Sequence, residues 1–246
     1  MKIIAQSRIK TKFWLSVFLF FILGSVALGC ALAQNTESAY PALSGNTDRV
    51  IIIDPGHGGI DGGTQAADGT LEKEINLQIA LKAHGYLSAF GYNTVLTRDG
   101  DFSIHNPEAK TIRAKKVSDL KNRLAIINNS NNPVFVSIHQ NYFAQSKYHG
   151  TQVFYSGNNA DSVRLAESIR KSVCDNLQQD NKRELKQSGT EIYLLYNSTV
   201  PSVMVECGFL SNNEEAELLK NETYQTKIAY FIAMGIIDYL NSTEAV

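Results

Sequence analysis

Short β-branched runs alternate with longer stretches of helical spacing along most of this chain, and that alternation restricts its fold more than any other feature. Val50-Ile51-Ile52-Ile53 is a continuous apolar run stopped by Asp54-Pro55-Gly56, the mark of a strand buried on both faces and ended by a turn. Ile75, Ile79, Ala83, Leu87 and Phe90 then recur at helical spacing, with Gly91 as a C-terminal stop. A strand is expected at 92–97 and a helix at 117–129, the latter marked by Leu120, Leu124 and Ile127. Pro133 precedes a second buried strand at 134–139, and a short strand is expected at 151–155. A helix over 161–177 would put Val163, Ala166, Ile169 and Val173 on one face. A strand at 202–206 and a closing helix at 223–240 complete the pattern. Strands and helices in alternation predict a single α/β domain built on a largely parallel sheet. The 246 residues are 43% hydrophobic and 19% charged, enough for a substantial core. The net charge of −1 offers no footprint for nucleic acid.

The first 33 residues stand apart from this pattern. Lys2, Arg8, Lys10 and Lys12 precede an uncharged apolar stretch from Phe13 to Ala33, and Ala31-Leu32-Ala33 has the form of a cleavage site. Export follows from either fate of the segment. A cleaved signal peptide would leave a secreted protein, and an uncleaved segment is long enough to anchor it in a membrane. Loss of the leader removes four basic and no acidic residues, which takes the net charge from −1 to −5. Residues 34–48 are small and polar and read as a linker, which leaves 49–241 for the folded domain. Outside the leader only Cys174 and Cys207 remain. Two thiols make no disulfide framework, and Cys207 in an apolar strand end reads as a small buried hydrophobe.

Chemistry gathers where the strands stop. In α/β sheets ligands collect beyond the C-terminal strand ends, and three of the expected strands run into His57, His139 and Glu206. The segment Asp54-Pro55-Gly56-His57-Gly58-Gly59-Ile60-Asp61-Gly62-Gly63 is no phosphate cradle. It lacks a Lys-Ser or Lys-Thr step, and Asp61 stands where a dinucleotide fingerprint requires glycine. A glycine-rich turn with one histidine at its apex suits a loop that bends around an ion, although such a histidine taken alone reads as a polar surface residue. Glu72, just before a helix expected to begin near Glu74, adds a carboxylate to the imidazoles of His57 and His139. Two imidazoles and a carboxylate form a catalytic zinc set with a fourth position left for water, but the spacing is long and irregular. Glu206, at the end of Val203-Met204-Val205, can act as a proton acceptor and donor. It can equally cap the turn at Gly208 or pair with Arg98 or Arg123. His84, His105 and His149 read as structural.

Four segments occur in a telling order: Asp54-Pro55-Gly56-His57-Gly58-Gly59, Glu72-Lys73-Glu74-Ile75-Asn76-Leu77, Ser137-Ile138-His139-Gln140-Asn141 and Glu206-Cys207-Gly208-Phe209-Leu210-Ser211-Asn212. Together they resemble the zinc-dependent N-acetylmuramoyl-L-alanine amidases of the amidase-3 type, over roughly residues 49–241. The resemblance implies a mixed, largely parallel sheet flanked by helices on both faces. It also implies Zn2+ held by His57, Glu72 and His139, with Glu206 as the catalytic carboxylate and peptidoglycan as the substrate. The short turn after Tyr155 leaves no room for the long insertion that blocks the zinc in division-associated relatives. That layout resembles the germination-specific members, which act on spore-cortex peptidoglycan. Gln140-Asn141-Tyr142 and Cys207 depart from the residues frequent in the family but leave the ligand positions intact. Two other readings stay open: a non-catalytic wall-binding module with a structural metal, and a zinc peptidase acting on stem peptides.

Overall fold

The computed structural model describes residues 49–244. The expected leader (1–33) and linker (34–48) lie outside the described residues, among which no helix is long and apolar enough to cross a membrane. The chain runs β1 (Val50–Pro55), α1 (Glu72–Ala89), β2 (Asn93–Leu96), α2 (Ile112–Asn129), β3 (Val134–Asn141) and β4 (Gln152–Tyr155). It continues through α3 (Asp161–Asn176), β5 (Lys186–Gln187), α4 (Tyr193–Asn197), β6 (Ser202–Phe209), α5 (Asn213–Lys220) and α6 (Glu222–Glu244). The strands form one sheet in the order β2-β1-β3-β6-β4-β5. Every pairing is parallel except that of β4 with β6, so the sheet is mixed as well as largely parallel.

Successive side chains of a strand point to opposite faces, and here the two faces differ in chemistry. Ile51, Ile53, Val134, Val136, Ile138, Val203 and Val205 build one face. They pack under Ile75, Ile79, Ala83 and Leu87 of α1, Leu165, Ala166, Ile169 and Val173 of α3, and Ile228, Ile232 and Ile236 of α6. Truncation of one of the isoleucines or leucines to alanine costs about 2–5 kcal/mol in a core of this kind. The other face begins with Ile52, Phe135 and Met204 under Ile127 of α2 and Leu194 and Leu195 of α4. Toward the C-terminal strand ends the same face turns polar, through Asp54, Ser137, His139 and Glu206. The apolar back carries the main core, and the front carries the chemistry.

The elements depart from the sequence pattern in a few places. α2 starts at Ile112, not near 117, because Thr111 caps the Ala114 amide with its side chain. Its first turns are exposed and carry no apolar stripe. Val163 faces solvent instead of joining Ala166, Ile169 and Val173, and Leu165 takes the buried position. α4, α5 and the two-residue β5 were not expected. Cys174 and Cys207 are buried free thiols.

A buried ion pair ties the front face together. Asp54 accepts from Arg123 Nη1 at 2.5 Å, Thr97 Oγ1 at 2.5 Å and Ser137 Oγ at 2.6 Å. Burial works against its charge, but Arg123, with the Ser137 and Thr97 hydroxyls, holds the Asp54 carboxyl below its usual range. A lowered native pKa adds stability that is complete above the unfolded value and fades as pH falls through the native one. Asp54→Asn should therefore cost about 3–5 kcal/mol at neutral pH, the scale for breaking a buried pair, and less in acid. Urea unfolding of both proteins at pH 7 and pH 3 measures this, and an equal loss at both pH values would contradict it.

Candidate active site

The site is assembled from the loop after β1, the C-terminal halves of β3 and β6, and one helix start. After β1 the chain turns at Gly56, whose amide donates to Ile138 O across the sheet. No side chain fits at Gly56, since an added Cβ would lie 2.1 Å from His139 Nε2. His57 follows in the left-handed region at φ 62°, an uncommon conformation for a non-glycine residue that costs free energy. Two guanidinium groups hold it there. His57 O accepts from Arg98 Nε at 2.8 Å and from Arg123 Nη2 at 2.7 Å. Arg98 also donates to the carbonyls of Pro55, Gly56, Lys73 and Gly100. Burial, with Arg123 alongside, pulls its pKa down to about 10. Lys73 Nζ fastens the rest of the loop through Gly59 O and Asp101.

Glu72 is the first residue of α1, not the residue preceding the helix. Its amide donates to Thr64 O and that of Lys73 to Gly62 O, so the glycine-rich loop satisfies helix-end donors that otherwise lack partners. The Glu72 carboxylate is thereby aimed between two rings. Oε2 lies 3.2 Å from His57 Nε2, and Oε1 lies 2.9 Å from His139 Nδ1. Oε2 also accepts from the Thr64 amide, and Oε1 from Gln140 N and Asn76 Nδ2. Burial opposes the charge, yet His139 and His57 hold Glu72 well below the usual carboxylate range. On the far side of the His57 ring, Nδ1 meets Asp61 Oδ2 at 2.9 Å. Against the opposing effect of burial, Asp61 and Glu72 raise the His57 pKa to about 9.

The donor atoms of His57, Glu72 and His139 lie within 4.8 Å of one another, and no other such group occurs among the described residues. Glu206 is the direct neighbour of His139 across the parallel β3–β6 pairing, on the same face. Its Oε2 is buried without a hydrogen-bond partner. Burial pushes its pKa up to about 7, with Glu72 adding to the rise and His139 and His57 opposing it. The other roles open to Glu206 are filled elsewhere. Arg123 pairs with Asp54 and Asp119, Arg98 binds carbonyls, and the turn after Gly208 is held by Glu215, which accepts from Phe209 N at 2.8 Å.

The remaining histidines do not join the cluster. His84 bonds Thr94 and His105 bonds Ser103, while His149 lines a separate cleft beside Glu215. Asp61 and Asn76 escaped the sequence reading as parts of the site, while Gln140, expected beside the ligands, bonds Glu72 through its amide and Asn76 through its side chain. Asp61 stands four residues after His57, and Asn76 one helical turn after Glu72. Two cavities share His139, Leu120 and Leu194 in their walls. One, of about 170 Å³, reaches His57, Asp61 and Lys116, and the other, of about 240 Å³, reaches Phe135, Tyr193 and Met204. The arrangement offers three side chains that could hold a metal ion, with an unpartnered carboxylate oxygen on the neighbouring strand.

Comparison with known proteins identifies the family and the fold. Residues 51–238 match the family Amidase_3, N-acetylmuramoyl-L-alanine amidase. The germination-specific N-acetylmuramoyl-L-alanine amidase of Bacillus subtilis is 35% identical over 226 residues, covering 92% of this chain and 94% of that protein. The CwlD amidase of Clostridioides difficile, solved in complex with the GerS lipoprotein, is 47% identical with a TM-score of 0.75, over 78% of this chain and 98% of that one. AmiC2 of Nostoc punctiforme, also an N-acetylmuramoyl-L-alanine amidase, is 31% identical with a TM-score of 0.68, over 80% and 99%. With the family match spanning nearly its whole described length and its fold shared with solved amidases, the chain belongs to the Amidase_3 family of N-acetylmuramoyl-L-alanine amidases and is a hydrolase of that class.

Proposed function

We propose that this amidase is zinc-dependent, that His57, Glu72 and His139 hold the metal, and that Glu206 moves the proton in cleavage of the amide between N-acetylmuramic acid and L-alanine. One observation carries the reading: a cluster of two imidazoles and a carboxylate lies beside Glu206, the direct sheet neighbour of His139, whose buried Oε2 has no hydrogen-bond partner. Three protein ligands leave a position for reactants, whereas a structural zinc site closes with four. That difference weighs against a wall-binding module with a structural metal. The ligands also have the supporting contacts such sites require. Asp61 fixes the ring orientation of His57, while Asn76, Gln140 N and Thr64 N orient Glu72.

Zinc bound there supplies a Lewis acid able to polarise the scissile carbonyl and to acidify water. The chain's own residues do the rest. Glu206 accepts the proton of the attacking water on its free oxygen and returns it to the departing amine of L-alanine. Its raised pKa puts it near the range where proton acceptance and donation are balanced. Arg98 and Arg123 keep His57 at its angle throughout, so the site does not have to reorganise during turnover. The relatives extend the reading. One is named for germination, and the structure of another is a complex with a lipoprotein. We place this chain's action on spore-cortex peptidoglycan, outside the cytoplasm and delivered by the N-terminal segment, either secreted or membrane-anchored. A lipoprotein is the precedent for a protein partner.

Glu206→Gln should retain zinc and lose turnover by roughly 10²–10⁴-fold; full activity would remove Glu206 from the reaction. Gly63, at φ 72°, has no room for a side chain, because a Cβ would sit 2.5 Å from Glu72 Oε2 and 2.8 Å from His57 Cδ2. Gly63→Ala should leave the circular dichroism spectrum of the fold intact and weaken zinc about 10–100-fold; unchanged affinity by chelator competition would contradict the ligand assignment. Both histidines must be unprotonated to bind a metal, so zinc affinity should fall with pH. Digestion of purified peptidoglycan by the full chain, with and without chelator, tests the whole reading. Mass spectrometry should find stem peptides that begin with L-alanine, only in the absence of chelator. Cleavage inside the stem would make it a peptidase instead.

A further inference from the structure

The two cavities that share His139 differ in charge, and the difference runs along one helix. Arg113, Lys116, Leu120 and Arg123 recur at helical spacing on α2 and form one stripe. Lys116, Leu120 and Arg123 line the cavity that also contains His57 and His139, and Arg113 continues the stripe toward solvent. Residues 110–116 hold Lys110, Arg113, Lys115 and Lys116 and no acidic residue, a local excess in a chain whose net charge is −1. α2 has no acidic residue in its first turn. The acids on the cavity wall are already engaged: Asp54 and Asp119 by Arg123, and Asp61 by His57 and Lys116. Arg113 is exposed and has no ion-pair partner among the described residues. Lys116 is half exposed and held only by Asp61, at 2.7 Å. The cavity on the other side has walls of Leu120, Phe135, Ile192, Tyr193, Leu194 and Met204, and Glu191 is the one carboxylate, lysine or arginine among its lining residues.

We infer that Arg113 and Lys116 form a carboxylate-binding subsite for the stem peptide, which fixes the peptide on the α2 side of the scissile amide and the glycan on the other. This rests on the amidase reading and adds the polarity of substrate binding to it. Stem peptides carry free carboxylates, and a glycan of N-acetylated sugars carries none. An anion is attracted to the α2 side and repelled by Glu191 on the opposite wall. Lys116 stands two contacts from His57, through Asp61. A residue of extended chain spans about 3.5 Å, so an acid close behind L-alanine comes within reach of the stripe. Arg113 offers the planar pair of donors that matches a carboxylate, and Lys116 a mobile point charge beside it. An anionic wall polymer bearing phosphates is the competing occupant. It is disfavoured because the stripe is continuous with the wall that holds His57 and His139.

The test pairs a charge change in the protein with one in the substrate. Soluble muramoyl peptides are prepared with stem carboxylates free or converted to amides, and the full chain is compared with R113A, K116A and R113A/K116A. Amidation should raise KM for the unmodified protein roughly ten-fold, the scale of one charge-assisted contact. The double variant should show the same rise in KM on the free acid and little further change on amidation, the non-additivity expected of direct partners. Equal effects of amidation on both proteins would overturn the subsite. A second arm needs no turnover: calorimetry of the released stem peptide on E206Q and on E206Q/R113A/K116A. Binding should weaken with salt and with loss of the two charges. Binding indifferent to them, or displacement from the stripe by a polyphosphate polymer but not by stem peptide, overturns the assignment. A chain that cleaves none of the substrates removes the amidase reading, and the calorimetric arm still decides the subsite.

Discussion

The architecture of the site depends on one carbonyl oxygen, that of His57, which accepts from two buried arginines at once. Placing two guanidinium groups side by side out of water is costly unless each charge is answered. Arg123 is answered by Asp54 and Asp119. Among the described residues Arg98 meets no carboxylate at bonding distance and relies on five backbone carbonyls around the loop. The fork of donors on arginine makes this possible, since lysine could not bond so many carbonyls in one plane. The gain is a loop that keeps an unfavourable left-handed residue in place, and with it the direction of the His57 ring.

How much of this was legible in the sequence follows from how each part is built. β1, β3 and β6 are buried on both faces, so they read as unbroken apolar runs, and their ends could be located to within a few residues. α1 and α6 lie on the apolar back of the sheet and show helical spacing. α2 has exposed first turns, so its start was hidden, and Thr111 was the only local mark of it. α4, with five residues, and β5, with two, are too short to show a period, and tertiary contacts define them. Val163 fell at the right interval but on the solvent side of α3.

The site divides in the same way. His57 lies just past β1, and His139 and Glu206 lie in the C-terminal halves of β3 and β6, which run on to Asn141 and Phe209 beyond the expected ends; this is where the topology of an α/β sheet directs attention. Glu72 carries no such mark, because its position is set by Thr64 and Gly62 carbonyls that only the folded loop brings to the helix start. Asp61 and Asn76 lie four residues beyond His57 and Glu72, a weak signal that needs the folded loop and helix before it has meaning. The choice among roles for Glu206 was not open to sequence reasoning, since it depended on where Arg98, Arg123 and Glu215 had already been committed.

The contacts of Glu72 with both histidines have a consequence for how the two halves of the site are coupled. One carboxylate meets a ring from the loop after β1 and a ring from β3, and its remaining contacts are the Thr64 and Gln140 amides and Asn76. Aspartate, one methylene shorter, would have to give up one ring or the other. The length of a single side chain therefore gauges the spacing of two imidazoles that belong to different strands, and a helix contributed by neither strand carries that gauge.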